Sequence, residues 1–173
     1  MLSEVLIVSD SHGWEEEVQL IKDRYPNVDA RIHCGDSELP YDAKELDGFY
    51  RVQGNCDMDS RYKEEIDFKL GELHFYSTHG HLFQIKSSLM HVSYRAEELG
   101  ANIICHGHSH IAVAERIGDQ IVINPGSIRQ PRGAHPGSYA LLNFDESTNL
   151  LSIRYFTLEG KEISSLYFET KLD

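Results

Sequence analysis

The chain has 173 residues and a mass of 19.7 kDa, the size of one domain with a sizeable hydrophobic core. Its 16 basic and 28 acidic residues give a net charge of −12, which argues against nucleic-acid coat proteins and against binders of anionic membranes. It holds no apolar run of about 18 residues, no signal peptide and no Cys-x-x-Cys motif among its three cysteines. We therefore expect a cytoplasmic protein with a single domain over residues 1–173.

The first third of the chain alternates apolar strands with polar loops. Residues 5–8 form a continuous apolar run, which is typical of a strand buried on both faces. Apolar side chains then recur at helical spacing up to Pro26, on Trp14, Val18, Ile21 and Tyr25. Further strands over residues 30–34 and 49–53 make this an α/β beginning.

The remainder is predicted to contain one more helix and many strands. Residues 65–70 and 73–78 read as a hairpin around Gly71-Glu72. Apolar residues from Ile85 to Leu99 keep helical spacing and end at Gly100. Extended stretches are then expected over residues 102–105, 112–117, 120–124, 139–144, 151–157 and 164–169.

Seven polar side chains follow the predicted strands directly, namely Asp10, His12, Asp36, Asn55, His79, His108 and His110. Sites in open α/β sheets form outside the carboxyl ends of the strands, so these loops are expected to converge. Nitrogen and oxygen donors suit Mn²⁺, Fe²⁺, Zn²⁺, Ni²⁺ or Co²⁺. One tetrahedral zinc takes about four ligands, so seven donors predict two ions with a shared carboxylate.

Each motif taken alone has an ordinary structural explanation. Gly35-Asp36 and Gly54-Asn55 are common turn sequences. His33 and His74 are interpreted as structural or surface histidines, and His106 is a weaker ligand candidate than its neighbours. Five such motifs in order, each at a strand end, make coincidence an improbable explanation.

The ordered set resembles the calcineurin-like metallophosphoesterases, and especially their small bacterial and archaeal phosphodiesterase branch. The resemblance extends from Leu2 to about Phe156. It is carried by Asp10-x-His12, Gly35-Asp36, Gly54-Asn55-Cys56-Asp57, His79-Gly80-His81, Gly107-His108-Ser109-His110 and Asn124-Pro125-Gly126-Ser127. It implies an α/β fold built as a four-layer αββα sandwich of two mixed sheets flanked by helices.

The resemblance also implies a metal site. One ion would be held by Asp10, His12 and His110, the other by Asn55, His79 and His108, with Asp36 bridging them. Two ions about 3.5–4 Å apart clamp a phosphate and lower the pKa of a bridging water, whose hydroxide attacks phosphorus in line. We therefore expect a phosphodiesterase with two divalent ions per chain, Mn²⁺ being the first expectation.

One position departs from the wider family. Many members carry a histidine after the motif asparagine as a proton donor, and Cys56 stands there in this chain. The general acid is therefore left open, with Asn55, His81 and Asp57 as candidate catalytic residues. Asn55, Cys56, His81 and Ser127 are candidate substrate contacts. Arg129 and Arg132 either bind phosphate or are solvated surface arginines.

Two other functions compete with an enzyme that acts on a small phosphoester. The first is a protein-interaction scaffold on the same fold, as in the retromer vacuolar sorting subunit, which departs from the metal-binding pattern. The second is a structural metal protein, against which the number of ligands argues. Membrane binding is not expected and nucleic-acid binding is disfavoured. The oligomeric state is left open, with a homodimer as one alternative.

Overall fold

The computed structural model describes residues 1–173 and contains eleven strands, two α-helices and three 3₁₀ turns. The helices are α1 (Glu15–Arg24) and α2 (Met90–Leu99), and the turns lie at Lys44–Leu46, His81–Phe83 and Ser164–Leu166. The strands are β1 (Leu2–Val8), β2 (Ala30–His33), β3 (Phe49–Arg51), β4 (Glu65–Leu70), β5 (Leu73–Thr78), β6 (Ile103–Cys105), β7 (Val113–Ile117), β8 (Gln120–Asn124), β9 (Tyr139–Asp145), β10 (Leu150–Phe156) and β11 (Phe168–Lys171).

The strands form two mixed sheets. The six-stranded sheet has the order β11-β10-β9-β1-β2-β3, in which β1, β2 and β3 are parallel and the others antiparallel. The five-stranded sheet has the order β4-β5-β6-β8-β7, with a parallel centre and two antiparallel edges. The carboxyl ends of the parallel strands carry the predicted polar loops.

The apolar run of β1 is explained by burial on both faces. Val5 and Ile7 face the core between the two sheets, whereas Leu6 and Val8 belong to a second core with Val18 of α1. A third core lies between the five-stranded sheet and α2, and it contains Tyr76, Val92, Ala96 and Ile104. These three cores separate four layers, which confirms the predicted αββα sandwich. Neither helix is long and apolar enough to cross a membrane.

The second helix is shorter than its sequence pattern predicts. It begins at Met90 and not at Ile85, because Gln84 takes a left-handed φ of 53° and the chain turns there. Ser88 then accepts a hydrogen bond from the Met90 N–H at 3.1 Å, as serine commonly does near a helix start. The predicted end at Gly100 is correct, with φ at 75°.

The last predicted strand is also displaced. A 3₁₀ turn occupies Ser164–Leu166, since the Leu166 N–H donates to the Ile163 carbonyl at 3.0 Å. The strand follows as β11 and pairs with β10 at the edge of the larger sheet. The expectation of extended chain over residues 164–169 is therefore wrong in its first half.

Candidate metal centre

Four loops bring a cluster of carboxylates and imidazoles to one edge of the sandwich. Asp10 and His12 follow β1, Asp36 follows β2, His79 follows β5 and His110 lies on the loop after β6. All five residues are buried. These residues are far apart along the chain, and the parallel strands bring them together at one edge of the sandwich.

Asp10 lies at the centre of the cluster. Its Oδ1 is 3.0 Å from His110 Nε2, 3.6 Å from His12 Nε2 and 3.7 Å from His79 Nε2. Asp36 Oδ2 lies 3.1 Å from His79 Nε2 and 3.9 Å from His12 Nε2. Donor atoms within 4.8 Å of one another form the groups Asp10-His12-His110, Asp10-Asp36-His79 and His12-Asp36-Cys56.

The three imidazoles are held by their outer nitrogens. His12 Nδ1 contacts Glu38 Oε1 at 2.6 Å, His79 Nδ1 contacts the Cys34 carbonyl at 2.7 Å, and His110 Nδ1 contacts the Gln130 carbonyl at 2.7 Å. Because each acceptor needs a proton on Nδ1, each neutral ring directs the Nε2 lone pair into the cluster. Partners of this kind are typical of metal-ligating histidines.

The donor set fits a divalent cation. Asp10 Oδ1 and His79 Nε2 are buried, and neither makes a hydrogen bond of good geometry, although His110 Nε2 lies 3.0 Å from the first and Asp36 Oδ2 lies 3.1 Å from the second. Buried polar atoms are nearly always well paired, so two such atoms within one cluster fit a site for a cation. The atoms that face each other are carboxylate oxygens and imidazole lone pairs, which repel unless a proton or metal ion lies between them. Such oxygen and nitrogen donors suit first-row divalent metals.

The pKa values describe the same cluster in its metal-free form. Burial disfavours the charged form of Asp10, but contacts with His110 and His12 outweigh it and keep the pKa of Asp10 far below its usual range. The Asp10 carboxylate raises the pKa of His12 to about 9. Burial also opposes protonation of His79, but Asp36 and Asp10 outweigh it and raise the pKa of His79. A metal ion would have to displace these protons, as ligation normally does.

Backbone conformation is unusual throughout the cluster. Left-handed φ angles between 43° and 72° occur at Asp10, His12, Asp36, His108 and His110. This region is sparsely populated by residues other than glycine, and such strain concentrates at functional sites. The tight loops turn several side chains toward one point, and the surrounding hydrogen bonds stabilise them there.

His108 lies beside the cluster and belongs to none of its donor groups, and Asn55 precedes Cys56, whose backbone N–H binds Asp36. Asn55 is exposed, and its side-chain contact is with Cys56 Sγ at 3.6 Å. The His108 ring lies 5.2 Å from the His79 ring, centroid to centroid, and burial lowers the pKa of His108 to about 4. Their predicted roles as ligands of a second ion stay predictions.

His81 lies beside His79 and His108, and Cys56 lies beside Asp36 and His12. The His81 ring is 5.5 Å from that of His79 and 6.1 Å from that of His108, and its Nδ1 is buried without a partner. Burial lowers the pKa of His81. Cys56 is exposed, and its backbone N–H donates to Asp36 Oδ1 at 2.8 Å.

The Asp57 carboxylate is bound by three backbone N–H groups, and its predicted catalytic role stays a prediction. Its carboxylate accepts backbone N–H groups of Asp36 at 2.8 Å, Gly54 at 2.7 Å and Glu38 at 2.8 Å. Both oxygens are engaged, and the residue is buried. Asp57 therefore clamps the Asp36 loop to the Asn55 loop.

Ser127 is likewise bound to backbone groups, and its predicted substrate contact stays a prediction. Its buried hydroxyl donates to the Asp10 carbonyl at 2.7 Å and accepts the Gln130 N–H at 2.8 Å. The Arg129 guanidinium donates to the His12 carbonyl and lies 5.6 Å over the Trp14 ring. Arg129 and Arg132 were the two arginines considered as phosphate ligands. Of these, only the Arg132 guanidinium makes no hydrogen bond or ion pair within the protein.

Two further residues support the site, namely Glu38, which the sequence did not identify, and Asn124, which was named only as part of the Asn124-Pro125-Gly126-Ser127 motif and without a role. Glu38 orients His12, and Asn124 donates from its side chain to Ser109 Oγ at 2.8 Å, between the two histidines of that loop. Asn124 is fully buried at the end of β8. A buried amide ending an apolar strand is a usable signal for Asn124, whereas Glu38 follows Asp36 in a loop without any pattern.

Sequence comparison identifies relatives along almost the whole chain. A family model described as the calcineurin-like phosphoesterase superfamily domain matches residues 4–147. The chain is 47% identical over 163 residues to the probable metallophosphoesterase YsnB of Bacillus subtilis, covering 94% of this chain and 95% of YsnB. The phosphodiesterase YfcE of Escherichia coli K12 is 33% identical over 111 residues, 54% of this chain and 52% of YfcE.

Solved structures agree with this assignment. The crystal structure of a predicted phosphoesterase from Streptococcus pneumoniae TIGR4 matches with a TM-score of 0.94 and 35% identity, covering 99% of this chain and 98% of that one. Vps29 of Entamoeba histolytica complexed with Zn²⁺ matches with a TM-score of 0.72 and 21% identity, covering 100% and 99%, a likeness of fold alone. The resemblance inferred from the motifs is confirmed, and the chain belongs to the calcineurin-like phosphoesterase superfamily.

Proposed function

We propose that this protein hydrolyses small phosphodiesters and holds two divalent ions per chain. The observation that carries the proposal is the convergence of three imidazole Nε2 atoms on two buried carboxylates, where Asp10 Oδ1 and His79 Nε2 make no hydrogen bond of good geometry. Its homology to a phosphodiesterase, YfcE, favours diesters over monoesters.

The two ions are assigned to two sides of Asp36. Its Oδ2 lies between His12 and His79, which supports the expected bridge between an ion on Asp10, His12 and His110 and a second on His79. His108, whose ring lies beside that of His79, and Asn55, which the family resemblance assigns to the same ion, are proposed to complete the second set. Bound ions supply Lewis acidity, which polarises phosphoryl oxygens and lowers the pKa of water.

The chain's own residues bind and orient the ester. Asn55 is exposed beside the cluster, so its amide can donate a hydrogen bond to a phosphoryl oxygen. His81 is proposed to contact the substrate as a neutral imidazole, because burial lowers its pKa. No histidine stands beside the leaving oxygen at position 56, so esters of acidic alcohols should react best.

Metal counting and a substrate screen test the proposal. Purified protein is assayed with Mn²⁺ on aryl diesters, cyclic nucleotides, dinucleotides and aryl monoesters, and its bound metal is measured by elemental analysis. We expect about two ions per chain, turnover of diesters, and weaker binding of both ions in Asp36→Ala. Asp67→Ala, an exposed aspartate beside His74, is the matched control and should keep both ions. One tight ion unaffected by Asp36→Ala would contradict the bridged pair.

The scaffold function stays as the second candidate, because Vps29 proteins share this fold. It predicts a protein that is fully metallated yet inactive on every ester of the screen. The complete set of donor side chains favours the enzyme.

A further inference from the structure

A cavity of about 410 Å³ lies beside the candidate metal centre, between the segment before α2 and strand β7. One wall is Ser109, which stands between His108 and His110, together with the neighbouring Ile111. The opposite wall includes Ile85, which packs so closely on Gly80 that a Cβ there would lie 2.6 Å from its side chain. Both walls are thus continuous with histidine motifs of the site.

The cavity combines apolar walls with cationic side chains that form no ion pair. Leu89 and Val113 extend the apolar surface, and Lys86 and Arg132 contribute the cations, with Glu115 as the one acidic residue. Eight of the nine arginines make a hydrogen bond or an ion pair through the guanidinium, and Arg132 is the exception. In a chain with a net charge of −12, an unpaired arginine at this place favours an anionic ligand.

The cavity is sized for a small molecule. Ligand pockets commonly measure about 300–1,000 Å³ and combine apolar walls with a few polar groups. The apolar lining suits a ring system, and the two cations of the lining, Arg132 and Lys86, suit a second anionic group on that ring. A polymer would require a longer groove than these residues provide.

We propose that this cavity binds one alcohol arm of the phosphodiester, a flat apolar ring system that carries a further negative charge. The proposal rests on the proposed function, because the phosphate of the ligand must bind at the metal centre. It adds the substrate class, since arms such as methyl or glycerol would leave the apolar walls uncovered.

Binding of three phosphate monoesters to the Mn²⁺-loaded protein tests the proposal by calorimetry. Methyl phosphate reports on the metal centre alone, 2-naphthyl phosphate adds the ring, and 6-carboxy-2-naphthyl phosphate adds the charge. We expect the naphthyl ester to bind about tenfold more tightly than the methyl ester, because it buries apolar surface in the cavity. The carboxylate should add about threefold, the size of an exposed ion pair.

Variants locate the effect. Val113→Trp should fill the cavity and bring the naphthyl-to-methyl ratio close to one, and Arg132→Gln should remove only the gain from the carboxylate. Leu20→Trp, at an exposed position of α1, is the control and should keep both ratios. In the parent protein loaded with diamagnetic Zn²⁺ in place of Mn²⁺, methyl resonances of Ile85, Leu89 and Ile111 should shift with the naphthyl ester and not with methyl phosphate, a readout independent of the folding of any variant.

Two kinds of failure are distinguishable. If methyl phosphate binds but the ring brings no gain, or if Ile85, Leu89 and Ile111 do not respond to the naphthyl ester, the cavity proposal is wrong and the proposed function stands. If methyl phosphate itself does not bind to the Mn²⁺-loaded protein, the proposed function fails and the cavity proposal with it.

Discussion

Cys56 lies where many members of the superfamily carry a histidine, and its chemistry differs from that of an imidazole. Burial, reinforced by Asp36, raises the pKa of the Cys56 thiol to about 11, so the group is neutral at pH 7. Cys56 lines an open cavity of about 400 Å³, and Leu39, Pro40 and Met58 also line it. A larger side chain therefore has room.

Cys56→His should change the substrate class more than the overall stability. A new imidazole can protonate a poor leaving group, and general acid catalysis is worth about 10²–10⁴-fold. We expect the ratio of kcat/KM for monoester over aryl diester to rise at least about tenfold. Cys56→Asn, similar in size but unable to titrate, is the control. An unchanged ratio in the folded, metallated histidine variant would show that this position does not set substrate class.

His33 illustrates a histidine that serves the fold. It is buried, its Nδ1 accepts the Gly35 N–H at 3.2 Å, and its Nε2 lies 2.9 Å from Ser11 Oγ. These contacts use both ring nitrogens of the neutral form, and burial lowers the pKa of His33 to about 4. The interpretation of His33 as structural agrees with this environment.

The lowered pKa of His33 predicts a pH dependence of stability. Below the unfolded pKa of about 6.5 the unfolded chain binds a proton that the folded His33 refuses until about pH 4. The contribution of His33 to the free energy of unfolding is therefore complete above pH 6.5 and is lost as the pH falls toward 4.

Urea unfolding of the metal-free protein measures this contribution. We expect the difference in free energy of unfolding between the parent and His33→Gln to shrink by about 2–3 kcal/mol from pH 7.5 to pH 4.5. Comparison with the variant cancels the opposite contributions of His12 and His79, whose pKa values are raised. A constant gap would contradict the assignment.

At the scale of elements, close packing between loops decides the site. Gly107 precedes His108, and a Cβ on it would overlap Ser9 Oγ and Asp10 Oδ2. Gly35 approaches the His79 ring, where a Cβ would lie 2.7 Å from Nδ1. The glycines of these motifs therefore allow neighbouring loops to come into contact. They are required by this close packing and not by any need for a flexible backbone.

Gly107→Ala should weaken metal binding by displacing Asp10. The added methyl group must push the carboxylate away from the histidines, at a cost of about 1–3 kcal/mol as for other overpacked sites. That cost corresponds to a loss of about 5- to 150-fold in metal affinity, measured by competition with a chelating dye. Gly118→Ala is the control, because nothing lies within 4 Å of its Cβ position and only backbone strain results. Equal metal affinity in both variants would exclude the displacement.

Elements were predictable where one physical pattern dominated. The hairpin of β4 and β5 matches its predicted bounds, since alternating strands flank Gly71-Glu72. The start of α2 was not predictable from apolar spacing, because Ile85 keeps the pattern yet packs on Gly80 before the helix begins. The donor residues were foreseeable from their order at strand ends. The engagement of Asp57 and Ser127 by backbone groups depends on loop contacts between distant segments, which no local pattern encodes.

At the scale of the whole molecule, the metal centre joins the two sheets. Asp10 and Asp36 come from loops of the six-stranded sheet, while His79 and His110 come from loops of the five-stranded sheet. Their close approach buries donor atoms from both sheets that make no hydrogen bond of good geometry. Metal binding should therefore stabilise the association of the sheets as well as create a reactive site.

This arrangement predicts a large thermal shift on metal binding. A ligand at 100 times its Kd stabilises the folded state by about 2.7 kcal/mol, and each kcal/mol raises the Tm of a domain of this size by about 2–4 °C. We expect Mn²⁺ to raise the Tm by about 5–10 °C over protein treated with EDTA.

Asp36→Asn should lose most of the shift, because the exchange removes the charge that faces both His12 and His79. Asp67→Asn should retain it, since Asp67 pairs with His74 on an exposed edge strand. Equal melting temperatures with Mn²⁺ and with EDTA in the parent protein would show that the cluster does not bind the ion, whatever its geometry.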